Sequence, residues 1–205
     1  QIRFKQEDGT DFPDWEMKKL GTQINVISGI ALKGHDISEK KGGLPILRGI
    51  NITEGFIRHS SKIDRYYHGE IAKISAYLVK QNDIVLGMDG SKVGKNVALI
   101  SQEDDNSLLI QRVARIRSND NSDISFIFQV IFSIFFRKYV DIVNTSSGIP
   151  HISLRQIRDY KIKFPCLEEQ QKIAHFLTAI DQKINQVSNQ TTLTENYKKG
   201  LLQQL

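Results

Sequence analysis

From Phe164 to Val187 the chain reads FPCLEEQQKIAHFLTAIDQKINQV, and this stretch divides the sequence in two. Upstream of it, Tyr160 to Phe164 alternates apolar and basic residues, the pattern of an edge or half-buried strand, and Pro165, with no N–H to give, stops it. Downstream, Ile173, Leu177, Ile180, Ile184 and Val187 follow one another at spacings of 4, 3, 4 and 3, an a/d heptad stripe. The register continues through Thr191 and Thr194, and apolar character resumes beyond them at Tyr197 and Leu201. Glu168 and Glu169 suit the positive end of a helix dipole. The spacing predicts one helix over residues 168–205, about 57 Å long at 1.5 Å per residue. A helix folding back on its own domain would show a similar stripe. The narrow stripe and polar flanks favour a partner helix.

Working back from that boundary, residues 15–100 consist of short apolar runs broken by Gly, Asn and Asp. Leu44 to Ile52, Ile74 to Val79, Ile84 to Leu86 and Asn96 to Ile100 read as strands, with turns at Asn82-Asp83 and Asp89-Gly90. Leu108 to Arg117 adds one more, and the region is expected to be mostly antiparallel. Ile124 to Val143 is the most apolar window and reads as a buried core helix capped by Ser122 or Asp123. Gln129, Arg137, Lys138 and Asp141 interrupt it before the roughly 20 apolar residues that a membrane span needs. Ser153 followed by Gln156 has the capping-box spacing and opens a further helix. The expected fold is α+β: a strand-rich domain with a few helices over residues 1–165, then one long coiled-coil helix over residues 166–205.

The whole chain, at 205 residues with 40% hydrophobic content, can bury a real core, so disorder is not expected. Its net charge of +5 is unevenly placed. Counting side chains gives −3 over residues 1–16, +8 over residues 17–167 and 0 over residues 168–205. The positive excess belongs to the globular part, which permits a nucleic-acid partner without requiring one. One cysteine, Cys166, excludes an intramolecular disulfide framework and a Cys-rich zinc site. The N-terminal residues are acidic and polar where a signal peptide would be basic and then apolar, so a cytoplasmic location is expected. The chain begins at Gln1 and not at Met, as a processed or excised piece would.

Residues for catalysis are hard to find. Gly87 to Asn96 (GMDGSKVGKN) resembles a phosphate-binding loop, but Gly90 and Gly94 are separated by three residues where four are needed, and Asn96 stands where a hydroxyl belongs. The five histidines show no metal-ligand spacing, so no metal or other cofactor is expected. Asp104-Asp105 reads as an exposed loop. No nucleophile sits in a recognisable elbow, and an enzyme is not expected. The same Gly-rich stretch does supply donors suited to phosphates or base edges, from Ser91, Lys92, Lys95 and Asn96. Comparable groups recur at Arg48, Asn51, Arg58, Lys62 and Arg65, and at Ser146 and Ser147. Together these suggest a polar recognition face carried on loops, and they are the candidate DNA contacts. His151 is expected to order the loop before the capping box.

Several runs point to one family. Gly148 to Leu154 (GIPHISL), Lys161 to Pro165, and above all Leu167 to Ala174 (LEEQQKIA) with Leu177 and Ile180 to Ile184 (IDQKI) resemble the specificity subunit of type I restriction-modification systems. Trp15 to Gly21 (WEMKKLG), Leu44 to Ile52 (LPILRGINI) and Asp83 to Lys95 (DIVLGMDGSKVGK) look like the opening of its target recognition domain. The resemblance implies a non-catalytic subunit that reads double-stranded DNA for modification and restriction subunits. The family's subunit normally carries two recognition domains and two antiparallel helices. One domain and one helix here imply half of a longer subunit, or a half-subunit that pairs with itself through Ile173, Leu177, Ile180, Ile184 and Val187. Two rival readings are the recognition part of a single-chain restriction-methylation enzyme and a coiled-coil adaptor with an incidental basic domain.

Overall fold

Strand β7 (Ile84–Gly87) is buried at every residue, and the rest of the domain is layered on its two faces. It lies at the centre of a five-stranded sheet in the order β2 (Ile24–Ser28), β10 (Val113–Ser118), β7, β8 (Val97–Leu99), β5 (Glu54–Gly55). Side chains alternate across a strand with a period of two. Ile84 and Leu86 therefore join Val97, Ala114 and Ile116 on one face, in a core shared with the helices, while Val85, Ala98 and Val113 face the other way onto Leu47, Ile52, Ile100 and Leu109. The computed structural model describes residues 3–144 and 148–203.

A second sheet covers that other face, with strands in the order β3 (Ile37–Ser38), β6 (Arg65–Tyr67), β4 (Leu44–Leu47), β9 (Leu108–Leu109). Pairing is mostly antiparallel, as expected; the exceptions are β4 with β9 and β5 with β8. Leu108 to Arg117, expected to be one strand, is two. The chain turns out of the sheet at Arg112, whose φ of 68° is left-handed, before entering β10. Ile74 to Val79 is also not a strand: residues Ile71–Tyr77 form a 3-10 turn. The reason is a buried cation, because the carbonyls of Ala76 and Leu78 accept from the Arg115 guanidinium at 3.0 and 3.1 Å. Asp83 completes this cluster, accepting from Arg117 Nε at 2.6 Å and Nη2 at 2.8 Å, with Arg115 Nε at 4.0 Å.

The expected core helix over residues 124–143 is broken into α1 (Ile124–Phe132) and α2 (Ile134–Val143). Ser133 is responsible, being extended, donating to Val130 O at 2.7 Å and accepting from Phe136 N at 3.3 Å. The break turns Phe136 and Val140 inward and leaves Ile134, Phe135 and Ile142 exposed, so the window is only half buried. Asp123 caps α1, as anticipated. The capping box at Ser153 is fully formed and opens α3 (Leu154–Asp159).

The start of the long helix α4 (Leu167–Leu202) is anchored more firmly than a dipole argument suggests. Glu169 is fully buried, and it accepts from Arg3 Nη2 at 2.8 Å, Arg3 Nε at 3.2 Å and Trp15 Nε1 at 2.9 Å. Gln170, also buried, accepts from Asp123 N at 3.0 Å and donates to Pro165 O at 3.0 Å. These two side chains tie together the N-terminal segment, the entrance of α1 and the ribbon of β1 (Glu16–Lys19) with β11 (Lys161–Phe164). The first turns of α4 belong to the domain, and beyond Ile180 the helix projects from it with every described residue exposed up to Lys199.

Candidate nucleic-acid interface

Two loops meet beside the central sheet, one after β4 and one between β7 and β8. The first, residues 48–58, is pinned by Asn51, which is only 1% exposed. Its Oδ1 accepts from Arg48 N at 3.2 Å, and its Nδ2 donates to Arg58 O at 3.2 Å and Asp64 Oδ1 at 3.4 Å. Asn51 is among the residues expected to face DNA. Burial and full use of its amide make it the clamp of the loop instead. At the tip, Thr53 N donates to Phe56 O at 3.0 Å, and the turn leaves Ile50 and Phe56 exposed.

The Gly-rich loop forms a chain of tight turns, with Val93 N donating to Gly90 O and Lys95 N to Lys92 O, both at 3.0 Å. Gly94, at a φ of +75°, lies so close to α2 that an added Cβ would come within 3.0 Å of Val140. Only glycine combines that backbone angle with that approach. Gly90 N reaches across to Pro150 O at 3.0 Å, and His151 Nδ1 pairs with Asp89, which also holds Arg112 Nε at 3.2 Å. His151 thus orders the chain ahead of α3, the part expected of it.

Between the loops lies a concavity of about 330 Å³. Gly49, Ile50, Thr53 and Arg58 line one side, and Gly90, Ser91, Lys92 and Asn96 the other. Four candidate contacts (Arg58, Ser91, Lys92 and Asn96) are therefore brought together from two separate loops of the chain. Lys95 is exposed on the same Gly-rich loop.

Other candidates are spent elsewhere. Arg48 donates to Ile63 O, and burial, followed by the neighbouring charge of Arg65, holds its guanidinium below the ordinary value despite Asp64. Arg65 donates to Lys62 O at 3.1 Å and Asp64 O at 2.7 Å and pairs with Glu39 at 2.6 Å. Both arginines hold the 58–65 turn together, and Arg65 lines a separate hollow with His59 and Asp104. Lys62 is exposed on that turn. Asp104, expected in an exposed loop, is buried, with Oδ1 2.8 Å from His59 Nε2 and Oδ2 2.9 Å from Ser101 Oγ. Ser146 and Ser147 lie outside the described residues.

Sequence reasoning passes over Glu54 and Arg137. Glu54 sits 3.9 Å from Lys92 and 3.4 Å from Arg137, whose guanidinium lies 5.1 Å over the Phe132 ring. No local pattern announces this trio, because its members come from β5, the Gly-rich loop and α2. On α4 the apolar stripe divides. Ile173 and Leu177 are half-buried beside α1, while Ile180, Ile184 and Val187 are exposed, Ile184 at 59%. Among the described residues no group of His, Cys, Asp and Glu is placed to hold a metal ion, and no helix is long and apolar enough to cross a membrane.

Residues 13–195 match the family model described as type I restriction modification DNA specificity domain. The chain is 30% identical over 188 residues to the type I restriction enzyme EcoAI specificity subunit of Escherichia coli, covering 89% of this chain and 31% of that protein. It is 27% identical over 205 residues to the MjaVIII specificity subunit of Methanocaldococcus jannaschii, covering 97% and 47%. The chain thus spans about a third to a half of the curated relatives it matches. In fold it is similar to the HsdS subunit from Thermoanaerobacter tengcongensis, with a TM-score of 0.62 at 18% identity over 86% of this chain and 40% of that one. The type I restriction-modification S subunit from M. genitalium gives a TM-score of 0.60 at 17% identity over 92% and 44%.

Proposed function

The chain belongs to the type I restriction-modification DNA specificity family, and we propose that it reads one half of a split DNA sequence and directs methylation and cleavage by partner subunits without catalysing either. The observation that carries this reading is the convergence of Arg58, Ser91, Lys92 and Asn96 on one concavity of a domain whose residues 17–167 carry the positive excess. Arg58, Lys92 and Lys95 meet phosphates, and Ser91 and Asn96 reach base edges, where a bidentate contact discriminates by roughly 1–3 kcal/mol. Arg48, Asn51 and Arg65 act one step back, holding the loop that presents Arg58. Residues 1–165 form the recognition unit and residues 166–205 the spacer, in a cytoplasmic complex with modification and restriction subunits.

The exposed residues Ile180, Ile184 and Val187 support self-pairing of the spacer. A two-fold, antiparallel pair of helices would place two recognition units at opposite ends of a ruler. Co-expression with a cognate modification subunit, followed by mapping of methylated bases, tests the whole reading. A split, symmetric motif is expected. Methylation at an asymmetric site would refute self-pairing, and an unchanged methylation pattern on substituting Lys92 and Asn96 would refute the assigned face.

A further inference from the structure

Two carboxylates border the concavity between the loops, and the fold commits only one of them. Asp89 lines it, but its oxygens are taken by His151 Nδ1 and, at 3.2 Å, by Arg112 Nε. Glu54 stands at the tip of the other loop, next to Thr53, which also lines the concavity. Three features fix the backbone there. Thr53 N and Oγ1 donate to Phe56 O at 3.0 and 2.6 Å, closing a four-residue turn. Gly55, at a φ of +95°, supplies its left-handed corner, and Glu54 and Gly55 pair with Val97 and Ala98 of β8. The side chain is held from behind. Arg137 Nη1, on α2, lies 3.4 Å from Glu54 Oε2, and that half-buried guanidinium is itself seated over the Phe132 ring. Oε1 is left on the side of Lys92, which is exposed, lines the concavity and lies 3.9 Å away. Both contacts are long, so the carboxylate keeps most of its acceptor capacity.

A rigidly held carboxylate beside a DNA face repels the same phosphates that Arg58, Lys92 and Lys95 attract. That repulsion is offset only where the carboxylate meets a donor. Phosphates offer none, and neither do guanine O6 and N7 or thymine O4. In the major groove the donors are cytosine N4 and adenine N6, and adenine N6 sits beside N7, an acceptor that a second carboxylate oxygen would repel. Cytosine is therefore the base that suits a carboxylate. We propose, resting on the DNA face assigned above, that Glu54 accepts from cytosine N4 of the target and that Arg137 is the positioning residue that aims it. Lys92, beside Oε1, meets the neighbouring phosphate, so the carboxylate enters the groove next to a compensating charge.

The test uses the assembled complex. With a cognate modification subunit co-expressed, the methylated motif of the parent is expected to specify a C·G pair, and Glu54→Ala should relax that position alone, by roughly 5- to 150-fold, the range of a single base contact. Glu54→Gln keeps the shape of the side chain and should move the preference there towards adenine, which an amide pairs bidentately through N6 and N7. Arg137→Met should weaken the same position by a smaller factor. Glu54→Ala should also bind unrelated duplex more tightly, because a carboxylate facing phosphates is gone. Replacing the guanine of that pair with inosine removes only its minor-groove amino group and should leave binding unchanged; a loss there overturns the cytosine contact. So does a motif that is unchanged in Glu54→Ala, or one weakened equally at every position. If substituting Lys92 and Asn96 also changes nothing, the whole assigned face falls; if those substitutions alter the motif and Glu54→Ala does not, this contact alone is removed.

Discussion

Replacing Lys92 with Ala should change how DNA affinity depends on salt, by an amount that follows from counting cations. The proposed recognition face has three exposed ones per chain, Arg58, Lys92 and Lys95. A self-paired molecule presents twice that set. Each phosphate neutralised contributes about −0.9 to the slope of log K against log salt, so six give a slope near −5.4, or roughly a 2,000-fold loss of affinity between about 50 and 200 mM salt. Lys92→Ala removes one cation per chain and should bring the slope to about −3.6. Glu54, 3.9 Å from Lys92, competes only weakly, because both side chains are well exposed and the distance is at the limit of an ion pair. Fluorescence anisotropy of a labelled duplex, titrated at four or five KCl concentrations, measures the slope. Arg65→Gln serves as the contrast. It removes a formal charge that is already engaged with Glu39 and two carbonyls, so it should lower stability and leave the slope near −5.4. A parent slope near zero, or the same slope with and without Lys92, would refute the assignment of this loop to the phosphates.

Three further outcomes are expected. Asp83→Ala should lower unfolding free energy by about 3–5 kcal/mol in urea titrations, because it strands Arg115, whose side chain is 8% exposed; adding Arg115→Met should recover part of the loss, and strict additivity of the two changes would contradict the coupling. Ser153→Ala should lower stability by about 0.5–2 kcal/mol by opening the capping box, and the helix 154–159 should then exchange its first amides faster. Burial lowers the proton affinity of His59, but its bonds and charge interactions with Asp104 and then Asp64 outweigh that and raise it overall. The folded state therefore favours the protonated form, so this contribution is complete below the ordinary histidine value of 6.5 and fades as pH rises through the higher folded value. His59→Gln should flatten that segment of the stability–pH curve, and an unchanged curve would count against the pairing.

Elements whose signal is local are legible in the sequence. The strand Ile84–Gly87, the caps at Asp123 and Ser153, and the long helix all announce themselves within a few residues. Elements decided by distant partners are not. Ile74 to Val79 has strand composition but coils into a 3-10 turn, because its carbonyls are needed by Arg115, 37 and 39 positions away. Ser133 breaks the most apolar window of the chain, and turning there brings Phe136 and Val140 into the core. Ser91, Lys92 and Asn96 can be named as polar loop residues, yet nothing in their spacing distinguishes them from Asn51, Arg48 and Arg65, which the folded chain uses for its own construction, or from Arg58, which lines the concavity while its Nη2 donates to Ile50 O at 2.9 Å.

By itself, the sequence determined the division into a strand-rich basic domain and a long helix, because hydrophobic period, proline position and charge are properties of the chain that no packing can alter. It also carried the family, in the run from Leu167 to Ala174. Only the tertiary structure explains that run physically: Glu169 and Gln170 are interior anchors for the N-terminal segment and α1. It alone separates the donors left facing solvent from those already satisfied, since a hydrogen bond to a residue far along the chain exists only once the chain has folded. And it divides the helical stripe, covering Ile173 and Leu177 in part with the domain while leaving Ile180, Ile184 and Val187 bare, because α1 is long enough to shield only the root of the helix.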